Sequence, residues 1–238
     1  MSSQPAQPPT LLNTFTTFLT VTLHSILYHR QLYDPSLFLA AKKYNIPVRQ
    51  CRHPELCNWI DDCIAQIAEL MADPTAGVDA VNVVVFSPPP EEKPLERFVV
   101  DVGGLLKGEL GKELREEERK EVENQFRAAV GKVCVACERM GELPEGCTFT
   151  VAVDAREDLE ERIPRKARRL EKEGRAAIAP SQGRTTSSSQ KGRELQTVQF
   201  GDGLGSMVVS IQESKRKQIY YATTQLETQV EEDPDVTA

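Results

Sequence analysis

The chain has 238 residues, a formal net charge of −7 and 39% hydrophobic residues, which suits one large domain or one domain with tails. The acidic balance argues against a protein whose main task is gripping phosphate backbones, since that takes clustered positive charge. No apolar run is long enough to cross a membrane and no basic-then-apolar leader opens the chain, so the six cysteines read as free thiols in a reducing compartment.

Residues 1–9 are rich in Ser, Gln and Pro and read as a disordered tail. Leu11, Leu12, Phe15, Phe18, Leu19, Leu23, Ile26 and Leu27 recur at helical spacing and predict a first helix to Arg30, against the poor helix propensity of its threonines and phenylalanines. After the turn signal Tyr33-Asp34-Pro35-Ser36, the runs Leu37 to Tyr44 and Ile46 to Cys51 pair as a hairpin around Asn45. His53-Pro54-Glu55-Leu56 opens a second helix with Pro at its first position, and Asp73-Pro74 ends it. Val78 to Phe86 is a β-branched run centred on Val83-Val84-Val85, as a central strand buried on both faces would be, and Leu95 to Val102 returns beside it. A loop from Gly103 to Gly111 leads into a long helix from about Lys112 to Met140, with a charged first half.

Pro144-Glu145-Gly146 then turns the chain into Cys147-Thr148-Phe149-Thr150-Val151-Ala152-Val153, an alternating strand at which the periodic body of the protein ends. Beyond it charges alternate in sign to Arg175, Ser181 to Gly192 is Gly/Ser/Thr-rich, and apolar alternation returns only at Leu195, Val198, Phe200 and Met207 to Ile211. The organisation is therefore a core over 10–153, a conditional segment over 154–214 and a polar tail over 215–238.

No catalytic constellation emerges. Cys134 and Cys137 form a C-x-x-C, but late in a helix and on its apolar stripe, where small buried hydrophobes are the plain reading and a thiol redox pair the rival one. Cys51, His53, Cys57 and Cys63 lack the second close pair that would complete a tetrahedral metal set. Gly103-Gly104 and Gly108 to Lys112 miss the phosphate-loop spacing, and Glu113 stands where that loop needs Ser or Thr. The cations Arg165, Lys166, Arg168 and Arg169 are interleaved with glutamates and read as a solvated face. Trp59, the one tryptophan, is equally well a core residue at the margin of its helix stripe or one wall of a peptide groove.

Five runs together resemble the HORMA-domain family: Ile26-Leu27-Tyr28 with Tyr33; Lys42-Lys43-Tyr44-Asn45-Ile46-Pro47-Val48; His53-Pro54-Glu55-Leu56; Glu96-Arg97-Phe98-Val99; and Pro144 to Val151. Within that family the chain is most similar to the non-catalytic accessory subunits of the translesion DNA polymerase zeta. The resemblance implies an α+β fold, a mainly antiparallel sheet with three helices on one side, and a C-terminal safety belt over 154–214 that rearranges around a bound peptide. It implies an adaptor in the nucleus, not an enzyme, which takes a proline-containing segment of the polymerase catalytic subunit as an added strand and bridges translesion synthesis to repair factors. Direct nucleic-acid binding, a membrane and a cofactor are not expected. By the same resemblance Tyr33 and Trp59 line the peptide groove, Cys147 to Val153 is the receiving strand, Arg127 serves homodimer or heterodimer formation, and Val208 and Ser210 contact a scaffold translesion polymerase. Ser210 lacks the aromatic side chain expected there, and Ala176 to Pro180 stands where the family belt carries a Pro-Trp pair. An AAA+ remodelling ATPase acting on the N-terminal tail also belongs to the implied set. A spindle-checkpoint or meiotic-chromosome adaptor keeps the fold and changes the pathway.

Overall fold

The structure is a computed structural model and describes residues 10–105, 109–155, 192–201, 204–215 and 217. The expectations for the N-terminal tail, for the charged and Ser/Thr-rich belt between 156 and 191, and for 218–238 lie outside these residues. Among the described residues, three α-helices, α1 (Leu11–His29), α2 (Pro54–Ala72) and α3 (Glu116–Arg139), accompany seven strands. β1 (Phe38–Lys43) and β2 (Ile46–Cys51) form a separate hairpin. β3 (Val78–Phe86), β4 (Pro94–Asp101), β5 (Thr148–Ala155), β6 (Arg193–Phe200) and β7 (Gly205–Glu213) form an antiparallel sheet in the order β5-β3-β4-β7-β6.

α1 is the central helix, packed against α2, α3 and β2, and buried nearly all round. Its weak propensity is offset locally. The hydroxyls of Thr14, Thr17, Thr20 and Ser25 donate to carbonyls four residues back at 2.7–3.0 Å, so the buried Thr14 and Ser25 enter the core with their hydroxyls satisfied. Thr10 caps the N-terminus by accepting from the Asn13 N–H. Phe18 stacks on Phe126 of α3 at 4.4 Å, and Phe126 also meets Tyr44 and Phe200 edge-on, which ties α1, the small hairpin and β6 to one point. The hairpin turns at Tyr44 and Asn45, both at positive φ, as a tight two-residue connection demands.

In the sheet, Val81, Val83 and Val85 of β3 lie opposite Val153, Val151 and Phe149 of β5, and opposite Val100, Phe98 and Glu96 of β4. The valines and Phe98 of this face join the helices in one hydrophobic core, with Phe149 packed at its margin. β6 carries a bulge between Glu194 and Gln196, which explains why Leu195 falls out of phase with Val198 and Phe200.

Two boundaries need correction. α3 starts at Glu116, not near Lys112. The preceding stretch serves α1: the carbonyls of Leu110 and Lys112 accept the N–H groups of Leu12 and Leu11 at 2.9 and 3.1 Å, while Leu110 and Leu114 are buried. The chain turns between Glu109 and Lys112, where the Lys112 N–H donates to the Glu109 carbonyl at 2.9 Å, and Glu113 then bridges to Thr10, so helix begins only after Arg115. Second, the polar tail does not begin at 215, because Lys217 is 4% exposed and ion-paired inside the protein.

Candidate peptide-receiving edge and its aromatic wall

β5 is the terminal strand of the five, hydrogen-bonded in the strand order to β3. Gly146, at φ +77°, makes the turn that delivers the chain into it, a conformation other residues adopt only under strain. The C-terminal hairpin β6–β7 lies on β4, at the far end of the sheet. Residues 156–191 therefore connect opposite ends of the sheet. Had that hairpin been paired to β5, the strand Thr148–Ala155 would have been internal.

Successive β5 side chains point to opposite faces. Val151 and Val153 are buried against the helices, and Phe149 on the same face is half-buried. Trp59 of α2 and Tyr33, in the turn after α1, both meet the Phe149 ring edge-on, with centroids 5.2 and 6.1 Å away. Tyr33 is 36% exposed and Trp59 is half-buried, so the trio forms a wall at the margin between core and solvent rather than a piece of the interior. Tyr33 is held there by the next residues: Asp34 accepts the Ser36 N–H at 2.8 Å and starts the short turn Pro35–Leu37. Burial pushes the Tyr33 phenol above its ordinary range, with the Cys51 thiol as a second cause, so the ring stays neutral. Cys147, at the entry to β5, has its thiol pushed up to about 11, first by burial and then by the Glu96 carboxylate.

The remaining expected positions lie elsewhere. Val208 and Ser210 are half-buried on one face of β7, opposite Asp101 and Val99 of β4 and Thr197 and Glu194 of β6. β7 is flanked on both sides, so these residues offer a face and not an edge. Arg127 is exposed on α3, next to the buried Phe126.

Sequence reasoning missed a buried charge cluster at the end of the sheet. Arg30, at the C-cap of α1, donates through Nε and Nη2 to both oxygens of Glu96 at 2.9 and 2.7 Å, and through Nη1 and Nη2 to the carbonyls of Cys137 and Gly141 at the end of α3. Lys217 donates to Glu96 at 2.5 Å and to Glu213 at 3.0 Å. Its signal was Glu96 itself, a charge in phase with Phe98 and Val100 on the inner face of β4.

The thiol alternative finds no support in this geometry. Burial pushes the Cys137 thiol far up and raises Cys134 as well, so neither is poised as a thiolate. Among the described residues, no group of three or more His, Cys, Asp or Glu is arranged to hold a metal ion.

A scan against family models matches none. By sequence, the chain is 36% identical over 140 residues to the mitotic spindle assembly checkpoint protein MAD2B of Gallus gallus and 35% identical to that of Homo sapiens, alignments that cover 59% of this chain and 63% of each relative. It is 35% identical over 94 residues to the DNA polymerase zeta processivity subunit of Schizosaccharomyces pombe, 40% of this chain and 42% of that one. By structure, it superposes with a TM-score of 0.64 at 17% identity on a chain of a mitotic checkpoint complex, covering 85% and 98% of the two chains. Against Caenorhabditis elegans HTP-1 bound to HTP-3 motif-1, the TM-score is 0.54 at 15% identity, over 85% and 91%. The fold is the HORMA fold, mainly antiparallel with three helices, as the sequence resemblance implied.

Proposed function

We propose that this chain, a HORMA-fold homologue of MAD2B, is an adaptor and not an enzyme, and that it captures a proline-containing segment of the catalytic subunit of DNA polymerase zeta as a strand added to β5. The carrying observation is the strand order: among the described strands β5 is terminal, while the C-terminal hairpin sits on β4 at the opposite end. A terminal strand offers backbone donors and acceptors that an extended peptide satisfies, while side-chain pockets beside it set specificity. Tyr33, Trp59 and Phe149 supply such a wall, rigid and partly apolar, against which proline rings pack.

The segment 154–214 acts as the belt. Ordering it costs roughly 1–2 kcal/mol per residue of backbone entropy, and each backbone hydrogen bond returns about 0.5–1.5 kcal/mol net. Closed and open arrangements are then near in free energy, and the bound peptide decides between them. In this scheme Val208 and Ser210 face a scaffold translesion polymerase, Arg127 serves self-association or pairing with another HORMA protein, and an AAA+ ATPase remodels the assembly through the N-terminal tail. The setting is the nucleus, in translesion synthesis and repair. The similarity to a polymerase zeta processivity subunit supports this set, while the similarity to spindle assembly checkpoint proteins keeps the checkpoint adaptor as the second reading.

Trp59, the only tryptophan, reports the event. Titrating a synthetic proline-containing segment of the polymerase zeta catalytic subunit shifts its emission, and the two co-elute. A flat titration with no co-elution removes the peptide-receiving role. Affinity purification from cells that yields checkpoint proteins and no polymerase subunit transfers the chain to the checkpoint reading.

A further inference from the structure

Among the described strands, β6 is as terminal as β5, yet its backbone is met by a helix side chain at Gln199. The side-chain amide of Gln125 on α3 donates through Nε2 to the Gln199 carbonyl at 2.8 Å and accepts the Gln199 N–H through Oε1 at 2.7 Å. A glutamine amide carries one carbonyl and an N–H donor in a plane, the same pair that a neighbouring strand would present. It therefore stands in for one residue of a missing strand. The pose is fixed from both sides: Glu121, one turn earlier, accepts from the same Nε2 at 3.2 Å, and the next residue, Phe126, packs edge-on against Phe200.

We infer that Gln125 is a specificity-determining residue for strand addition: its amide closes the β6 end of the sheet and so confines partner strands to β5. The inference rests on the peptide-receiving role of β5. An unprotected terminal strand pairs with whatever extended chain it meets, including a second copy of the same protein. A belt that carries β6 and β7 to one end of the sheet would relieve β5 only to offer β6 as a rival, were the new end not blocked. A helix lying alongside, with a side chain long enough to reach the backbone, removes the rival without adding a strand.

The test uses the full chain carrying Gln125→Met, which keeps length and packing and removes both hydrogen bonds, and Gln125→Glu, which keeps only the acceptor. Hydrogen exchange of the Gln199 amide accelerates about tenfold in the Met variant, the equivalent of one net hydrogen bond, and also accelerates in the Glu variant, whose second carboxylate oxygen would face the Gln199 carbonyl and the Glu121 carboxylate. Native mass spectrometry with the synthetic polymerase segment as probe gives one peptide per wild-type chain. For the Met variant it gives a second bound strand or a new pairing of two copies. A Met variant that binds one peptide and keeps the wild-type oligomeric state overturns the inference, whatever its amide does. So does accelerated exchange spread over the whole of Arg193–Glu213, which would make Gln125 a support for the hairpin. If the wild-type chain fails to bind the probe, the role proposed for β5 fails, while pairing of copies and the Gln199 amide still judge Gln125.

Discussion

The indole of Trp59 meets the ring of Phe149 edge-on, with centroids 5.2 Å apart and planes at 86°. One ring comes from a helix and the other from the terminal strand, 90 positions later in the chain. The contact fixes where α2 sits relative to β5. A double-mutant cycle with Trp59→Leu and Phe149→Leu is expected to give a coupling of about 0.5–1.5 kcal/mol in urea unfolding, the usual worth of such a pair beyond its buried area. In addition, Phe149→Leu alone should shift the Trp59 emission with no peptide present. Strict additivity and an unmoved spectrum would mean that the rings touch without interacting.

The Arg30–Glu96–Lys217 cluster joins the end of α1, the inner face of β4, the end of α3 and the chain after β7. Removing its anion leaves two buried cations with less than they need. Glu96→Gln is expected to cost about 3–5 kcal/mol, as breaking buried ion pairs does. Lys217→Met should cost less, about 1–3 kcal/mol, since Glu96 keeps both bonds from Arg30 and Glu213 is partly solvated. Urea midpoints that rank the two variants in the opposite order would show that Lys217, not Glu96, is the keystone.

Thiol chemistry should be slow. Burial pushes Cys63 up to about 12 and Cys137 higher still, while Cys147 lies near 11, so almost no thiolate exists at pH 7.5. Iodoacetamide should label these three far more slowly in the native protein than in urea. Changing Cys134 and Cys137 together to Ser should leave affinity for the polymerase segment unaltered. Fast native labelling of Cys137, or a lost activity in the double variant, would reinstate the redox reading.

Stability should fall as the solution is acidified through the histidine range. His24 is buried and its Nδ1 accepts the Cys51 N–H, so it is held neutral; desolvation lowers its pKa, with Asp61 opposing weakly. His29 is lowered too, by burial first, even though the Glu138 carboxylate lies 3.4 Å away and Arg49 adds to the lowering. The unfolded chain takes up these protons near pH 6.5, whereas the folded chain does so only at lower pH. More protons bound to the unfolded state means stability lost as pH drops below about 6.5 and recovered above it. Urea midpoints should thus be lower at pH 5.5 than at 7.5, and His24→Asn, which keeps an acceptor for Cys51, should flatten the slope.

Periodicity carried the reading of the elements because each was amphipathic in its own period. α2 shows it at Leu56, Ile60, Cys63, Ile67 and Met71, and β3 at its unbroken run of buried residues. Where a segment's conformation was set by a distant partner, local pattern misled. The stretch before Glu116 looks helical by composition, yet it lends its carbonyls to the first turn of α1. Lys217 looks like tail because a lone lysine among polar residues carries no sign of a carboxylate waiting in the core.

The strand Cys147-Thr148-Phe149-Thr150-Val151-Ala152-Val153 shows the division most clearly. Its alternation and the glycine turn before it determine that it is a strand, because φ/ψ preference and side-chain period are local properties. The resemblance carried by its residues and four other runs marked the fold. Neither could say that the C-terminal hairpin would settle on β4, nor that the Gln125 amide would reach the backbone of Gln199 at the opposite end. Those are decided by which backbone groups find partners across the whole sheet. Hydrogen bonds between residues far apart in the chain leave no periodicity behind, so only the tertiary structure could fix them.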